Sequence, residues 1–341
     1  MKAVFVTAEN RPALHYGDFP DPARAPGEVL VRLRAAAVNR MDLYMRDSGA
    51  GVPHALPFIL GGDGAGEVLE APEGSSLRKG QKVVLYPATF DPTCPIAMAG
   101  DQTLSPSIAY LGMNRSGTFA ETISIPPQCL VPFENEIAFE TMAALPVAYL
   151  TAYRVVLGRH PVHPGDAVLV FGIGGGVAIA CLQLAVLAGA TVIVVSTSAR
   201  KLNRARELGA SYCIDSTKEK VAERVMAITG RRGADLVVDN VGEATWSDTM
   251  RCVRAGGRIV VCGATSGPSV SLNLQRLFSR EIEIVGSTLG SVAEFTKLVQ
   301  LASAGRIEPE IEEVVPLAQA SDALARTERG DKIGKIVLSI D

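Results

Sequence analysis

The sequence predicts an α/β protein, with a doubly wound parallel sheet and a second, mostly β domain. The main observation is the segment 166–201, where an apolar run, a glycine cluster, an apolar helical stretch and a β-branched run follow each other. Buried parallel strands read as continuous Val/Ile/Leu runs, so this order predicts strand, tight turn, helix and strand. A second observation is that predicted strands and helices continue to alternate as far as residue 287. Such alternation is typical of a parallel sheet with helices on both faces.

The predicted domains divide the chain into three segments. Residues 1–130 read as short strands separated by Pro and Gly, which is typical of a mostly β unit. Residues 131–287 begin with a helical stretch, 140–157, and continue with six strands in two βαβαβ halves. Residues 288–341 hold one helix, 291–304, and a last strand, 335–340. We expect this last segment to return to the first domain, so that the parallel-sheet domain is an insertion.

Composition narrows the classes of partner. The net charge of −3 comes without a basic stripe, and aromatic residues make up only 5% of the chain, so a nucleic-acid partner is not expected. The apolar stretch 167–195 is long enough to span a bilayer, but glycines divide it into strand-length and helix-length pieces. We therefore expect no membrane partner. The six cysteines include no C-x-x-C pair, and the N-terminal apolar run is too short for a signal peptide, so a cytoplasmic location is expected.

The glycine cluster after the first apolar run indicates a dinucleotide-binding turn. Glycines let backbone N–H groups approach a pyrophosphate at a helix N-terminus, where the helix dipole favours negative charge. In the pattern G-x-G-x-x-G, Ile173 and Ala178 stand at the positions of the first and last glycines, and a small residue is tolerated at the last. The alternative is a glycine-rich turn without a ligand. The predicted contacts at this turn are Gly174, Gly175, Gly176 and Val177.

The end of the second strand predicts NADP(H) as the cofactor. An NAD site usually carries an acid about 20 residues beyond the glycines, yet no acid occurs between Gly172 and Glu207. Hydroxyls and cations stand there instead and would attract a 2′-phosphate, which a carboxylate would repel. These residues are Ser196, Thr197, Ser198, Arg200 and Lys201. The alternative is that the cations form a solvated helix face, which is the interpretation we favour for Arg204 and Arg206.

Several segments together resemble the medium-chain dehydrogenase/reductase superfamily. They are the β-rich start, the GGVA turn, and the motifs KLNRARELGA, ADLVVDNVG, GRIVVCGA and GKIVL. Within that superfamily, VNRMDLYMRDSG and LPFILGGDGAGEV are most similar to the zinc-free quinone oxidoreductase branch. The resemblance covers nearly the whole chain. It implies a GroES-like catalytic domain, a Rossmann domain, a cleft between them, hydride transfer from a nicotinamide, and a homodimer formed through the edge strand Glu281–Ser287.

The fold and the resemblance extend the set of predicted cofactor contacts. In doubly wound sheets, ligands lie across the carboxyl ends of the strands. These ends supply Asn240, Val241, Cys262, Gly263, Ala264, Ser287 and Thr288. Thr151 matches a superfamily position near the nicotinamide, and Lys335 is expected either to reach the phosphates or to be a surface lysine.

The positions that match zinc ligands of the alcohol-dehydrogenase members carry other residues. The catalytic set falls on Asn39, Gly62 with Asp63, and approximately Val147, which cannot supply three ligands of Cys, His or carboxylate type. The structural set falls on four positions with a single thiol, which cannot close a tetrahedral site. Those positions are Asp91, Cys94, Ala97 and Ser105. We therefore expect no metal.

Without a Lewis acid, alcohol oxidation at neutral pH becomes unfavourable, and reduction of a small-molecule electron acceptor remains. The expected function is NADPH-dependent reduction of a quinone or an α,β-unsaturated carbonyl. By match to the quinone reductase motif, the catalytic candidates are Asn39, Asp42 and Tyr44. Asn39 could donate to the acceptor oxygen, and Tyr44 or water could deliver a proton. Alternatively, Asn39 and Asp42 satisfy loop backbone groups and Tyr44 lines an apolar pocket.

Two other functions stay open at this point. One is an alcohol dehydrogenase with a rebuilt metal site, and the other is a dinucleotide-binding subunit without catalysis.

Overall fold

The protein divides into two compact units. The computed structural model describes residues 1–7, 14–134 and 136–341. The first unit contains Met1–Leu150 and Gly290–Asp341, and the second contains Thr151–Leu289. The first boundary therefore falls at 150/151, whereas the sequence suggested 130/131. Residues 139–150 stay with the first unit because helix Phe139–Ala143 packs on its strands and the Tyr149 hydroxyl accepts a hydrogen bond from the Glu310 N–H at 2.8 Å.

The N-terminal part of the first unit is rich in short strands. The strands are β1 Lys2–Val6, β2 Leu14–Asp18, β3 Val29–Ala37, β4 Phe58–Ile59, β5 Asp63–Glu70, β6 Lys82–Leu85, β7 Ala88–Thr89, β8 Ala109–Tyr110, β9 Thr122–Ile125 and β10 Leu130–Pro132. The helices are α1 Arg40–Ser48, α2 Pro95–Met98, α3 Phe139–Ala143 and α4 Ala148–Tyr153, which crosses into the second unit.

The second unit alternates strands and helices. Its strands are β11 Ala167–Val170, β12 Thr191–Ser196, β13 Tyr212–Asp215, β14 Ala234–Asp239, β15 Val253–Val261 and β16 Glu283–Gly286. Its helices are α5 Gly176–Leu187, α6 Ala199–Glu207, α7 Val221–Ile228, α8 Trp246–Cys252 and α9 Leu274–Ser279. The chain then returns to the first unit with α10 Val292–Ser303, β17 Ile311–Pro316, α11 Ala320–Arg329 and β18 Lys335–Ser339.

Strand β3 is the centre of the first unit. It pairs with β5, β9 and β18 in a seven-stranded sheet, so the C-terminal strand lies directly beside an N-terminal one. Its inward residues Val31, Leu33 and Ala35 are fully buried. Close backbone approach within this sheet requires glycine at one point, because a Cβ on Gly66 would lie 2.0 Å from the Arg32 carbonyl oxygen. The result is a sheet that brings residues from both ends of the chain to the ends of β3.

The second unit contains the predicted doubly wound sheet. Its six strands are all parallel and follow the order β13-β12-β11-β14-β15-β16. The strand order reverses between β11 and β14, and ligands of such sheets bind at this point. The strands read as continuous Val/Ile/Leu runs because both faces are covered, and Leu169, Ile193 and Val237 are fully buried. The α/β fold class is confirmed.

Some predicted elements differ from those observed. The helical stretch 140–157 is broken into α3, α4 and a π-helical turn, Arg154–Gly158, because Pro146 cannot continue the first helix. The C-terminal segment contains β17 and α11 in addition to the helix and strand that were predicted. In the described parts of the chain, no helix combines the length and the apolar character needed to cross a bilayer.

Candidate functional site

The glycine turn lies between β11 and α5, at the carboxyl edge of the parallel sheet. Gly172 and Gly174 have left-handed backbones, with φ of 68° and 119°. A Cβ on Gly174 would lie 2.6 Å from Cδ of Lys201, and a Cβ on Gly172 would lie 2.7 Å from Oδ1 of Asn240. Side chains at these positions would therefore fill the turn. The helix that follows the turn, α5, presents N–H groups in its first turn that have no acceptor within the helix. Gly175 is the N-cap of α5, Gly176 and Val177 begin the helix, and the fully buried Ala178 follows.

The end of β12 carries hydroxyls that organise the start of α6. The Ser196 hydroxyl accepts a hydrogen bond from the Ser198 N–H at 3.1 Å, and Ser198 is the N-cap whose hydroxyl accepts from the Lys201 N–H at 3.5 Å. A hydroxyl that accepts one bond can still donate another. Arg200 is exposed in the first turn of α6, and Thr197 is exposed before it. This segment therefore has the donors and the charge that a phosphate requires.

One carboxylate lies close to this segment. Asp215, the last residue of β13, pairs in register with Ser196. Its oxygens accept hydrogen bonds from Thr217 and pair with Lys218 at 3.0 Å, and these partners lower the pKa of Asp215 to about 2. The carboxylate is thus ionised at neutral pH and engaged by its own turn.

The other strand ends complete the same edge. The turn after β14 contains Asn240 and Val241, and Val241 accepts a hydrogen bond from the Ser266 N–H at 2.8 Å. Cys262, Gly263 and Ala264 follow β15, and burial raises the pKa of the Cys262 thiol to about 12, so this thiol stays protonated. Ser287 and Thr288 follow β16. The Ser287 hydroxyl is buried and has no hydrogen-bond partner among the described residues.

A buried polar cluster occupies the ends of β3, β5 and β18 in the first unit. The Lys335 ammonium donates to Oδ2 of Asp63 at 2.7 Å, to Oδ1 of Asn39 at 2.6 Å and to the Val38 carbonyl at 2.9 Å. The Asn39 amide donates in turn to Oδ2 of Asp63 at 2.8 Å and to the Ala37 carbonyl at 3.3 Å. We call Asn39, Asp63 and Lys335 the lysine cluster. Lys335 and Asp63 are 1% and 0% exposed.

The lysine cluster corrects two residue predictions. Lys335 uses its three ammonium hydrogens inside the first unit, so it neither lies at the surface nor offers a donor to cofactor phosphates. The two amide hydrogens of Asn39 are likewise used, so Asn39 does not fit the predicted role of donating to an acceptor oxygen. Both errors arise from the strand register, because β3 pairs Ala37 with Asp63 on one side and with Val337 on the other.

Helix α1 carries the other two catalytic candidates in different environments. Asp42 is fully buried at the third position of α1, and its Oδ2 accepts a hydrogen bond from the Asn39 N–H at 2.7 Å. Burial raises the pKa of Asp42 to about 7, and its Oδ1 has no partner among the described residues. Tyr44 lies on the same helix but is 46% exposed. Of the three candidates, Tyr44 alone therefore presents a polar group outward.

The positions that match catalytic zinc ligands do not fit a zinc ion. Asn39 and Gly62 offer neither thiolate nor imidazole, and Val147 contributes only its backbone N–H, which donates to Oδ1 of Asp63 at 2.7 Å. An ammonium already neutralises the one carboxylate. Within the described ranges, no three side chains of His, Cys, Asp or Glu come together as a metal site. The donor chemistry is that of an internal ion pair.

The loop that matches the structural zinc site is held by hydrogen bonds. Oδ1 of Asp91 accepts from the N–H and the hydroxyl of Thr93 at 2.8 and 2.7 Å. The Ser107 hydroxyl accepts from the Asp91 N–H at 2.9 Å and bonds the Ser105 hydroxyl at 2.8 Å. A hydrogen bond with Ser105 lowers the pKa of the Cys94 thiol. Short polar side chains thus close this loop.

Most predicted cofactor contacts lie together at the edge of the second unit. The exceptions are Lys335, described above, and Thr151, a buried residue of α4 that is not part of a strand end. Sequence reasoning missed the roles of Asp63 and Asp239, each of which is a fully buried carboxylate at a strand end. Asp239 interrupts an apolar run at the end of a predicted strand, and this sequence signal could have pointed to it. Asp63 stands between glycines at the start of β5, where no such run marks it.

Two protein families match the chain. The alcohol dehydrogenase GroES-like domain matches residues 25–135, and the zinc-binding dehydrogenase family matches residues 176–304. A zinc-type alcohol dehydrogenase-like protein of Schizosaccharomyces pombe is 34% identical over 324 residues, covering 93% of this chain and 92% of that protein. A crotonyl-CoA reductase of Streptomyces avermitilis is 27% identical, with 96% and 82% covered.

A solved structure extends this similarity to the fold. The crystal structure of an NAD-dependent alcohol dehydrogenase has a TM-score of 0.95 and 36% identity, and 100% of both chains is covered. A GroES-like unit combined with a parallel dinucleotide-type sheet defines a two-domain oxidoreductase. The chain belongs to the medium-chain dehydrogenase/reductase superfamily.

Proposed function

We propose that the protein is an NADPH-dependent, zinc-independent oxidoreductase that transfers hydride to a quinone or to an α,β-unsaturated carbonyl. The observation that carries this proposal is the lysine cluster. Where zinc-type members hold a Lewis acid, this chain holds an ammonium that is hydrogen-bonded to Asn39 and Asp63. Oxidation of an alcohol at neutral pH needs help in forming the alkoxide, which a metal supplies. Acceptors that take hydride without such activation are therefore the better substrates.

The relatives support this substrate class in part. One is named a crotonyl-CoA reductase, whose substrate name denotes a double bond conjugated to a carbonyl. Others are named alcohol dehydrogenases, and their sequences are as similar or more similar to this chain. The donor set at Asn39, Gly62 and Val147 is the reason to favour reduction of a conjugated acceptor over alcohol oxidation.

The cofactor would be held along the carboxyl edge of the second unit. The glycine turn and the first turn of α5 would bind the pyrophosphate. Ser196, Ser198 and Arg200 would bind a 2′-phosphate, since this segment offers hydroxyls and positive charge and its nearest carboxylate, Asp215, is paired with Lys218. The unpartnered Ser287 hydroxyl fits a polar ligand at the same edge. When bound, the nicotinamide supplies the hydride. Relatives named NAD-dependent make the choice of coenzyme a point for experiment.

The side chains of the first unit would then position the acceptor and move a proton. The lysine cluster and Asp42 fix the start of α1, because Asp42 accepts the Asn39 N–H and Lys335 holds the Asn39 amide. Tyr44 projects from this fixed helix with an exposed phenol, which can donate a hydrogen bond or a proton to the acceptor. Delivery of the proton by water is the alternative, and the Tyr44→Phe variant separates the two.

We also propose that the protein is a homodimer that forms through strand β16. This strand is at the edge of the parallel sheet and, among the described strands, pairs with β15 alone. Ile284 is 37% exposed, and in the preceding helix α9 Leu274 and Phe278 are 64% and 71% exposed. An apolar edge strand of this kind is a surface for pairing with another strand.

The experiment is a steady-state assay that follows NADPH and NADH consumption with a quinone panel and an enone panel. Alcohol oxidation with NADP⁺ and NAD⁺ is measured in parallel. We expect turnover of at least one quinone or enone, with kcat/KM for NADPH roughly tenfold or more above that for NADH. Turnover of alcohols alone would support the alcohol dehydrogenase alternative. Tight NADPH binding without turnover of any acceptor would support a non-catalytic subunit.

A further inference from the structure

The carboxylate of Asp239 lies at the end of β14 and is fully buried. Oδ1 accepts hydrogen bonds from the Val241 N–H and the Gly242 N–H, both at 2.9 Å. The Thr245 hydroxyl bonds both carboxylate oxygens at 3.1 Å, and the Thr249 hydroxyl donates to Oδ2 at 2.6 Å. In the described residues, all hydrogen-bond partners of Asp239 are therefore uncharged groups.

Burial of a carboxyl group is costly unless its oxygens are hydrogen-bonded. Hydrogen bonds from backbone N–H groups and hydroxyls are what make it tolerable here. Two of the four donors are the N–H groups of the turn 241–242, so the carboxylate in return holds this turn. Gly242 has a left-handed φ of 91°, and a Cβ there would lie 2.5 Å from the Gly267 carbonyl oxygen. The turn thus requires glycine at position 242, and Asp239 holds two of its N–H groups.

Residues 240–242 also contact the glycine turn between β11 and α5, which belongs to the candidate cofactor site. A Cβ on Gly172 would lie 2.7 Å from Oδ1 of Asn240 and 2.9 Å from Cγ2 of Val241. The same turn also anchors the segment after β15, because the Val241 carbonyl accepts from the Ser266 N–H and hydroxyl at 2.8 and 2.7 Å. Three strand ends of the cofactor edge therefore meet at residues 240–242.

We propose that Asp239 is a positioning residue for the dinucleotide: it fixes the turn 240–242, and through this turn it sets the shape of the glycine turn and of the loop after β15. Asp239 itself need not touch the cofactor. The inference rests on the proposed function, because it concerns the same dinucleotide site. It predicts that the bonds on the turn side of Asp239 govern cofactor affinity, whereas the bond to α8 governs only stability.

The chain offers a matched pair of variants for the test. Thr245→Val and Thr249→Val each remove one hydroxyl bonded to Asp239, and the two substitutions have the same chemistry. The Thr245 hydroxyl also lies 3.1 Å from the Gly242 carbonyl oxygen and shares its one hydrogen among these acceptors, so Thr245 belongs to the turn side, whereas Thr249 is a buried residue of α8. NADPH dissociation constants are measured by titration calorimetry, with kcat at saturating NADPH and the melting temperature of each variant.

We expect T245V to raise the NADPH dissociation constant roughly threefold or more, and D239A roughly tenfold or more. D239N, whose amide oxygen can still accept from the turn, should recover most of the affinity. T249V should lower the melting temperature and leave the dissociation constant within about twofold of the wild type. Equal effects of T245V and T249V on affinity, or none from either, would overturn the proposal. If the wild type binds NADPH in that case, the proposed function still stands. Absence of NADPH binding by the wild type would overturn both.

Discussion

At the residue scale, the ion pair between Lys335 and Asp63 is a fully buried contact that joins the two ends of the chain. Both groups are buried, and the ammonium has three oxygen acceptors within 2.9 Å. A buried pair contributes little net stability relative to apolar residues of the same shape, but the loss of one partner leaves the other charge uncompensated. The value of the pair to this protein is therefore the fixed position of Asn39 and α1.

Substitution Lys335→Met tests this interpretation. It removes the ammonium and leaves the buried Asp63 carboxylate, within the described part of the chain, with the Asn39 amide and the Val147 N–H as its remaining partners. We expect a loss of about 3–5 kcal/mol in the free energy of unfolding, measured by urea denaturation at neutral pH. The control is Lys297→Met, an exposed position of α10, which should change stability by less than about 0.5 kcal/mol. Equal effects of the two variants would contradict a buried ion pair.

Asp42 makes stability depend on pH. Its pKa is raised from 3.8 to about 7 by burial in the folded protein, so the folded state holds the proton over a range in which the unfolded chain has lost it. The contribution of Asp42 to stability is therefore complete below about pH 4, and it is lost as the pH rises from there through about 7. The two pKa values are about three pH units apart, and each unit corresponds to about 1.36 kcal/mol. The loss in the free energy of unfolding that is due to Asp42 is therefore at most about 4 kcal/mol.

The variant Asp42→Asn should remove this dependence. Asparagine retains an oxygen to accept the Asn39 N–H but cannot ionise. We expect its unfolding free energy to change less than that of the wild type between about pH 5 and pH 8, measured by urea denaturation at several pH values. Parallel pH profiles of the two proteins would show that Asp42 ionises normally in the folded state.

Local sequence predicts which residues lie at the carboxyl edge of the parallel sheet, but not the contacts of the lysine cluster. Residues such as Gly174 and Ser198 follow directly from the order of strand, turn and helix, so local sequence is sufficient to place them. The role of Lys335 depends on which strand lies beside β3 and in which register. That information is not local, since Asn39 and Lys335 are 296 positions apart in the chain.

At the element scale, the first turn of α6 determines the choice of coenzyme in our proposal. Arg200→Ala removes one cation of the predicted 2′-phosphate site, and we expect the KM for NADPH to rise about tenfold, equivalent to about 1.4 kcal/mol. The KM for NADH should change less than about twofold, because NADH lacks the phosphate. The control is Arg206→Ala on the same helix, where the guanidinium bonds Asn203 at 3.0 Å. Equal shifts for NADPH and NADH, or the same result from Arg206→Ala, would contradict the 2′-phosphate site.

The edge strand β16 gives a second prediction at this scale. Ile284→Lys places a charge on the exposed edge, which disfavours pairing of strands. We expect the wild type to have a mass near twice 35.9 kDa and the variant to dissociate at least tenfold more readily, measured by sedimentation equilibrium.

A matched control for this edge exists in the first unit. Val314 lies on β17, which is also an edge strand, and is 46% exposed. Val314→Lys should leave the dimer intact. Dissociation by Val314→Lys, or a monomeric wild type, would contradict dimerisation through β16.

The elements that the sequence predicted are those with strong local patterns. All six strands of the second unit were predicted because each is a short run with apolar, often β-branched, residues next to a glycine or a polar stop. Helix α11 was missed although its buried residues, Ala320, Ala323, Leu324 and Thr327, recur at the i, i+3, i+4 and i+7 spacing of one helix face. Leu324 is the one large apolar residue among these four, so the stretch does not stand out by its apolar character. Strand β17 was missed because Glu312 and Glu313 interrupt it, and its pairing with β18 overrides that composition.

At the scale of the whole molecule, the chain builds its first unit from two segments separated by the second unit. Met1–Leu150 and Gly290–Asp341 share one sheet, in which β18 lies between β3 and β17. The catalytic candidates of this unit can therefore form their environment only after the second unit has been synthesised. The alternation of strands and helices predicted the parallel-sheet unit, but the position of its boundary depended on the packing of α3 and Tyr149, which local patterns do not encode.

The central claim is that hydride transfer in this protein needs no metal. The most direct measurement is the initial rate of NADPH consumption with a quinone or enone substrate before and after exhaustive chelation, with the zinc content of both samples determined by elemental analysis. We expect less than about 0.1 zinc per chain and the same rate in both samples, because the ligand positions hold the lysine cluster. Stoichiometric zinc, together with a rate that chelation abolishes and added Zn²⁺ restores, would contradict it.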